Sequence, residues 1–262
     1  MKLNLNADLG ESFGAWTMGD DAALLPALDS ASIACGFHAG DPSIIRQTVR
    51  AARDRGVTVG AHPAYPDLAG FGRRQMDIAG EALEDLLIYQ ISALAGIARV
   101  ERWPLSHVKP HGALSNAACA DPKLAICVAN AVRACDPDLI LLAPACSALA
   151  EAGAAAGLRV AIEIFADRRY APDGQLLPRQ QPGAVIHDPA EAIAHVQAML
   201  AQGGLISASG GVLPTPVHSI CVHGDSPAAV SMAAALRDAL HVAGHTLAPL
   251  SEVLDKGTLN AP

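Results

Sequence analysis

The residues best suited to chemistry in this chain sit directly behind short apolar runs. Asp8, His38, His62, Lys109 with His111, Glu163 with Asp167, and His223 with Asp225 all follow this rule. Asp8 and Glu11 flank Gly10 in Asp8-Leu9-Gly10-Glu11-Ser12-Phe13-Gly14, two carboxylates on a loop whose glycines let backbone approach a ligand closely. His38, in Ala34-Cys35-Gly36-Phe37-His38-Ala39-Gly40-Asp41-Pro42, suits metal ligation or proton transfer near neutral pH. His62 closes Gly60-Ala61-His62-Pro63, and the long loop behind it carries Arg73 and Arg74, guanidinium groups able to grip a carboxylate or phosphate. Lys109, in His107-Val108-Lys109-Pro110-His111-Gly112, could stabilise negative charge on a carbonyl or phosphoryl oxygen. Asp167 and Arg168 lie in Glu163-Ile164-Phe165-Ala166-Asp167-Arg168-Arg169-Tyr170, and His223 in Cys221-Val222-His223-Gly224-Asp225. Asp8, His38 and His62 together could form a mixed carboxylate–imidazole site for Zn, Mn or Fe with open positions. Plainer readings exist: solvated acids on a capped turn, a loop histidine that only hydrogen-bonds, a solvated arginine pair, a salt-bridge network at 163–169, and Asp225 as a helix cap.

The elements that must position these groups alternate. Strands are expected at Lys2–Asp8, Ala31–Gly36, Val57–His62, Ser106–Lys109, Leu139–Ala143, Arg159–Phe165 and Ser219–His223. Helices are expected at Pro42–Arg55, Gly80–Arg102, Asp121–Ala134, Ser147–Ala156, Pro189–Gln202 and Ser226–Ala243. The first opens with an Asp41 cap and Pro42 at its first position, and the last with the cap-like Asp225-Ser226-Pro227. Repeated strand–helix alternation is an α/β signal. Ionisable groups on six strand ends favour a closed barrel, which gathers all those ends around one mouth. An open sheet would spread them along a line. No linker or composition break divides residues 1–262, so one domain is expected. An irregular excursion around 205–218, a small hairpin or lid, is expected where the alternation weakens.

Composition removes other classes. The 262 residues carry 18 Lys+Arg against 26 Asp+Glu, a net charge of −8, and are 51% apolar. That balance lacks the basic stripe of a nucleic-acid binder. No run reaches the ~20 apolar residues of a membrane span. The N-terminus lacks the apolar run of a signal peptide, and the six cysteines form no CxxC pair, so buried reduced thiols in a cytoplasmic protein are expected. No GxxxxGK[ST], GxGxxG or GxSxG motif is present; any nucleotide site is non-standard or lies on another protein.

The ordered motifs resemble the LamB/YcsF family, also called the 5-oxoprolinase A-subunit (PxpA) family. They are Asn6-Ala7-Asp8-Leu9-Gly10-Glu11-Ser12-Phe13-Gly14, Ala34-Cys35-Gly36-Phe37-His38-Ala39-Gly40-Asp41, Gly60-Ala61-His62-Pro63, Gly70-Phe71-Gly72-Arg73-Arg74, His107-Val108-Lys109-Pro110-His111-Gly112-Ala113-Leu114, Phe165-Ala166-Asp167-Arg168 and Cys221-Val222-His223-Gly224-Asp225. Ala7, Ala64 and Ser115 depart from residues common in the family. The resemblance implies a seven-stranded (β/α) barrel similar to the glycoside hydrolase/deacetylase superfamily. It implies ATP-dependent opening of 5-oxoproline, a cyclic amide, to L-glutamate together with separate B and C subunits. Divalent metal held by Asp and His at strand ends is common in that superfamily. On this reading Asp8 or Glu11 is the base, aided by His38 or His62 directly or through a metal. Lys109 stabilises the oxyanion and His111 protonates the leaving nitrogen. Arg73 or Arg168 holds the substrate carboxylate, with Arg74, Asp167 and His223 as further substrate-binding candidates. The rivals are a stand-alone metal-dependent amidase or carbohydrate deacetylase, and a non-catalytic binding subunit.

Overall fold

The computed structural model describes residues 1–224 and 228–255. In chain order the strands are β1 (Lys2–Leu9), β2 (Ser30–Ala34), β3 (Thr58–His62), β4 (Leu105–Val108), β5 (Ile140–Pro144), β6 (Arg159–Phe165), β7 (Gly204–Ile206), β8 (Val212–Pro214), β9 (Ser219–Val222) and β10 (Thr246–Leu247). The helices are α1 (Asp21–Leu24), α2 (Pro42–Arg53), α3 (Glu81–Val100), α4 (Gly112–Ala120), α5 (Pro122–Cys135), α6 (Ala148–Ala155), α7 (Pro189–Gln202), α8 (Ala229–Val242) and α9 (Leu250–Leu254). Strands β1, β2, β3, β4, β5, β6 and β9 pair in that order, all parallel, and β9 pairs back onto β1. The sheet is therefore a closed seven-stranded barrel, as the placement of the polar residues suggests. Closure gives every one of these strands two partners and brings their C-terminal ends to one rim.

The pattern along β1 explains which face is which. Leu3, Leu5, Ala7 and Leu9 belong to the main hydrophobic core under the helices. Asn4, Asn6 and Asp8 alternate with them and point into the barrel, because successive strand side chains face opposite sides. On β5 the same alternation sends Leu141 and Ala143 to the outer core, and Ile140 and Leu142 to a small separate cluster with Ala161 and Leu250. Leu250 of α9 thus helps plug the interior with apolar side chains. Further up, the interior is polar and holds Asn6, Glu163, Ser219 and Lys109.

Four elements have no counterpart in the sequence reading: α1, α4, β10 and α9. The β7–β8 pair is an antiparallel hairpin inside the 205–218 excursion. None of its described residues lines the cavity at the strand C-termini. The Asp225-Ser226-Pro227 cap lies outside the described residues, as do residues 256–262. All six cysteines carry free thiols.

Candidate functional site

Lys109 is the centre of one half of the site. Its side chain follows β4 into the barrel, where Nζ lies 3.0 Å from Asp8 Oδ1 and 3.2 Å from Glu163 Oε1. It also donates to Asn6 Oδ1 at 3.1 Å and to Cys221 Sγ at 3.0 Å. Asn6 Nδ2 in turn donates to Glu163 Oε1 at 2.7 Å and Ser219 Oγ at 2.8 Å. Burial alone would discharge the lysine, but Asp8, Cys221 and Glu163 outweigh it and hold its pKa well above the ordinary value. Burial would likewise raise Asp8, yet His62 and Lys109 hold its carboxyl well below the usual range. Glu163 is raised by burial despite Lys109.

The other half comprises Glu11, His38, His62 and His111. Gly10 turns with φ +69°, so the chain leaves β1 and swings the Glu11 carboxylate toward His38, whose Nε2 is 3.2 Å from Oε1. That loop is held firmly. Gly10 N donates to Asp21 Oδ2, Gly40 N donates to Ser12 O, and Gly14 N donates to the Asp41 Oδ2, whose carboxylate also caps α2. His38 and His111 stack with centroids 3.9 Å apart and planes within 7°. Burial, reinforced by neighbouring imidazoles, pushes both pKa values well below the ordinary range, so the stacked rings are neutral. The backbone must give way for this stack. Gly72 (φ +65°) lies where a Cβ would come within 2.8 Å of both His111 Cδ2 and His38 Cβ.

Carbonyl partners fix the tautomers. His62 Nδ1–H donates to Lys109 O at 2.6 Å, and His111 Nε2–H donates to Phe71 O at 2.9 Å, since a carbonyl only accepts. The remaining ring nitrogens, His62 Nε2 and His111 Nδ1, face each other at 2.9 Å. Asp8 Oδ2 is 3.3 Å from the first, and Glu11 Oε1 is 3.6 Å from the second. Electron-pair donors packed this closely need a proton or a cation among them. One ligand atom from each of Glu11, His38, His62 and His111 lies within 4.8 Å of the others, so this set could hold a divalent metal. The sequence placed Asp8 with His38 and His62; Asp8 is not in the four-residue group. It turns inward from β1 with Oδ1 toward Lys109 and Oδ2 toward His62, so it sits between the two halves.

A cavity of about 460 Å³ opens over these groups, and its lining includes Asp8, His62, Lys109 and His111 together with Arg73, Arg168 and Arg179. Its position beyond the C-terminal strand ends is where parallel barrels bind ligands. His223 borders it, with Nδ1 2.8 Å from both oxygens of Asp167, whose pKa is lowered because His223 outweighs burial. Arg168 is buried, and its Nη2 donates to Leu177 O at 2.6 Å. Arg74 is outside the lining and is turned onto Asp67, whose carboxylate also receives Gly70 N, closing the loop after β3. The sequence reading overlooked Asn6 and Arg179. Asn6 was marked by its alternation with Asp8 along β1; nothing local marks Arg179, on an irregular stretch.

The LamB/YcsF family model matches residues 3–255. The 5-oxoprolinase A-subunit of Azoarcus sp. (strain BH72) is 61% identical over 253 residues, 97% of this chain and 99% of that protein. The crystal structure of a lactam utilization protein from Thermus thermophilus superposes with TM-score 0.88 at 44% identity, covering 95% of this chain and 99% of the other. The catalytic domain of a peptidoglycan N-acetylglucosamine deacetylase from Eubacterium rectale shares the fold, with TM-score 0.52 at 13% identity over 96% of this chain and 89% of that one.

Proposed function

The chain belongs to the LamB/YcsF family, and from that premise we propose that it is the hydrolytic subunit of an ATP-dependent 5-oxoprolinase that works with B and C subunits. The observation that carries this reading is that Asp8, Lys109, His62 and His111 line one small cavity, the two histidines belonging to the Glu11–His38–His62–His111 set. A five-membered lactam is an unstrained amide, so its carbonyl must be activated before water can add. The partner subunits supply that activation by phosphorylating the carbonyl oxygen with ATP. Overall, lactam, ATP and two waters become glutamate, ADP and phosphate: the ring C–N bond breaks, and the nitrogen leaves protonated.

Within the cavity, Asp8 or Glu11 takes the proton from the attacking water. Asp8 is held ionised by His62 and Lys109, so it is free to accept a proton, and the same contacts weaken it as a base. Lys109 Nζ faces negative charge that develops on the carbonyl oxygen. His111 is buried and neutral, so it protonates the leaving nitrogen only after its free Nδ1 has taken up the proton released by the attacking water. Arg73 or Arg168 holds the substrate carboxylate bidentately. A divalent cation on Glu11, His38, His62 and His111 would act as Lewis acid toward the water or the carbonyl.

The test is glutamate formation from 5-oxoproline by the chain alone, then with B, C and ATP. Glutamate is expected only from the complete mixture, and none from that mixture overturns the reading. The four-donor group favours one alternative, a stand-alone metal-dependent amidase or carbohydrate deacetylase. That enzyme releases product without ATP and loses activity to a chelator.

A further inference from the structure

We propose that Arg168 and Arg179 form a phosphoryl subsite on the cavity wall, which takes the phosphoryl dianion of a phosphorylated small substrate. The proposal rests on the function given above, because only an activated lactam brings a phosphoryl group into this cavity.

The two guanidinium groups are unusual in their surroundings. Arg168 is only 5% exposed, and its Nε is buried without a hydrogen-bond partner. Its Nη2 is fixed by Leu177 O, which sets the plane of the fork. Arg179, two residues beyond Leu177 on the same loop, lines the same cavity. Among the described residues no carboxylate forms an ion pair with either one. Asp167, whose field reaches both, already gives both its oxygens to His223 Nδ1 at 2.8 Å. Burial and the neighbouring Arg179 charge together lower the Arg168 pKa to about 10.

A buried cation with an unused donor and a like-charged neighbour is costly unless an anion arrives. One guanidinium satisfies one carboxylate through two parallel N–H···O bonds. Two guanidiniums on one wall exceed that need and match a dianion with three acceptor oxygens. Gln175, Ser115 and Asn116 line the same cavity and carry neutral polar groups. Arg73 then remains for the substrate carboxylate.

The experiment is titration calorimetry on the full chain at pH 8 and fixed ionic strength. The probes are inorganic phosphate, acetate and ATP, and the proteins are wild type, Arg179→Gln and Arg168→Lys. Arg179 is half-buried at the cavity rim, so its replacement should not disturb folding. Arg168→Lys keeps the charge and removes the fork.

Phosphate is expected to bind wild type at least about ten-fold more tightly than acetate, and to lose about ten-fold or more in each variant. Acetate equal to phosphate would overturn the proposal in favour of a carboxylate pocket. Phosphate affinity unchanged in Arg179→Gln would overturn it by placing the anion elsewhere. ATP binding far tighter than phosphate, and lost in the same variants, would overturn the assignment to a substrate by making a nucleotide the source. The readout needs neither partner subunits nor turnover. A missing phosphate site is therefore distinguishable from a failure of glutamate formation in the complete mixture, which would sink the function instead.

Discussion

The two halves of the cavity floor handle charge in opposite ways. Around Lys109 every ionised group has a counter-charge or donor: Asp8 and Glu163 share the ammonium, and Asn6 and Cys221 take up the rest. Around His38 and His111 two neutral rings stack, and two ring nitrogens confront each other beside two carboxylates. Both halves are equally buried, so burial does not explain the contrast. The Lys109 half holds its ammonium in place between carboxylates, and Lys109 and Asp8 still line the cavity. The histidine half gathers one ligand atom from each of four residues into a group that could hold a cation. A paired charge in low dielectric is a preorganised electrostatic tool, whereas converging lone pairs form a receptor.

The largest expected effect tests the paired half. Lys109→Ala in the complete mixture should lower kcat for glutamate formation by about 10²- to 10³-fold, the range for losing one oxyanion donor. Folding should be checked by circular dichroism, because Asp8 and Glu163 lose their shared cation. Full activity in a folded variant would remove Lys109 from the chemistry and make its network purely structural.

A smaller effect tests the receptor half. Wild type should bind one Zn²⁺ or Mn²⁺ per chain by calorimetry, and Glu11→Gln should weaken that binding by about 10- to 100-fold or more. That range is seen even for groups one step removed from a metal. Asp8→Asn should weaken it less, since Asp8 answers to Lys109. Equal losses in the two variants would restore Asp8 to the ligand set and blur the distinction between the halves.

Which parts of this were readable in the sequence follows from range. The seven barrel strands are local apolar runs, and each lies within a residue or two of its expected place. Helix α4 escapes such a reading, because Gly112–Ala120 follows Pro110-His111 directly and no side chain caps it. Its small, mostly apolar residues show no polar period. The strand-end rule found Asp8, His62 and Lys109 because side-chain direction on a strand is fixed by parity. It could not rank Asp8 against Glu11 at the histidines. That choice depends on the left-handed turn at Gly10 and on Asp21 and Asp41 tying the loop down. Arg179 was invisible for the same reason: a long irregular connection carries it to the cavity, and no periodicity reports where such a chain returns.

The smallest effect concerns His107, which lies under the paired half and should make stability fall in acid. Its ring fills the space over Gly60, where a Cβ would lie 2.3 to 2.5 Å from ring atoms. Ser106 Oγ at 2.8 Å and Ser32 Oγ at 3.3 Å serve its two nitrogens, and hydroxyls satisfy a neutral imidazole from either side. Burial and then the Lys109 charge lower its pKa from 6.5 to about 3. Above pH 6.5 the ring is neutral in both folded and unfolded chains and costs nothing. As pH falls below 6.5 the unfolded chain takes up a proton that the folded one refuses. Stability then declines by about 1.4 kcal/mol per pH unit from this group until the pH approaches about 3. In urea unfolding, the stability advantage of wild type over His107→Gln should therefore shrink by about that amount between about pH 6 and about pH 5. A constant difference would mean that the folded protein protonates His107 as easily as water does. Neither burial nor the Lys109 charge, two residues along the chain, would then disfavour the charged ring.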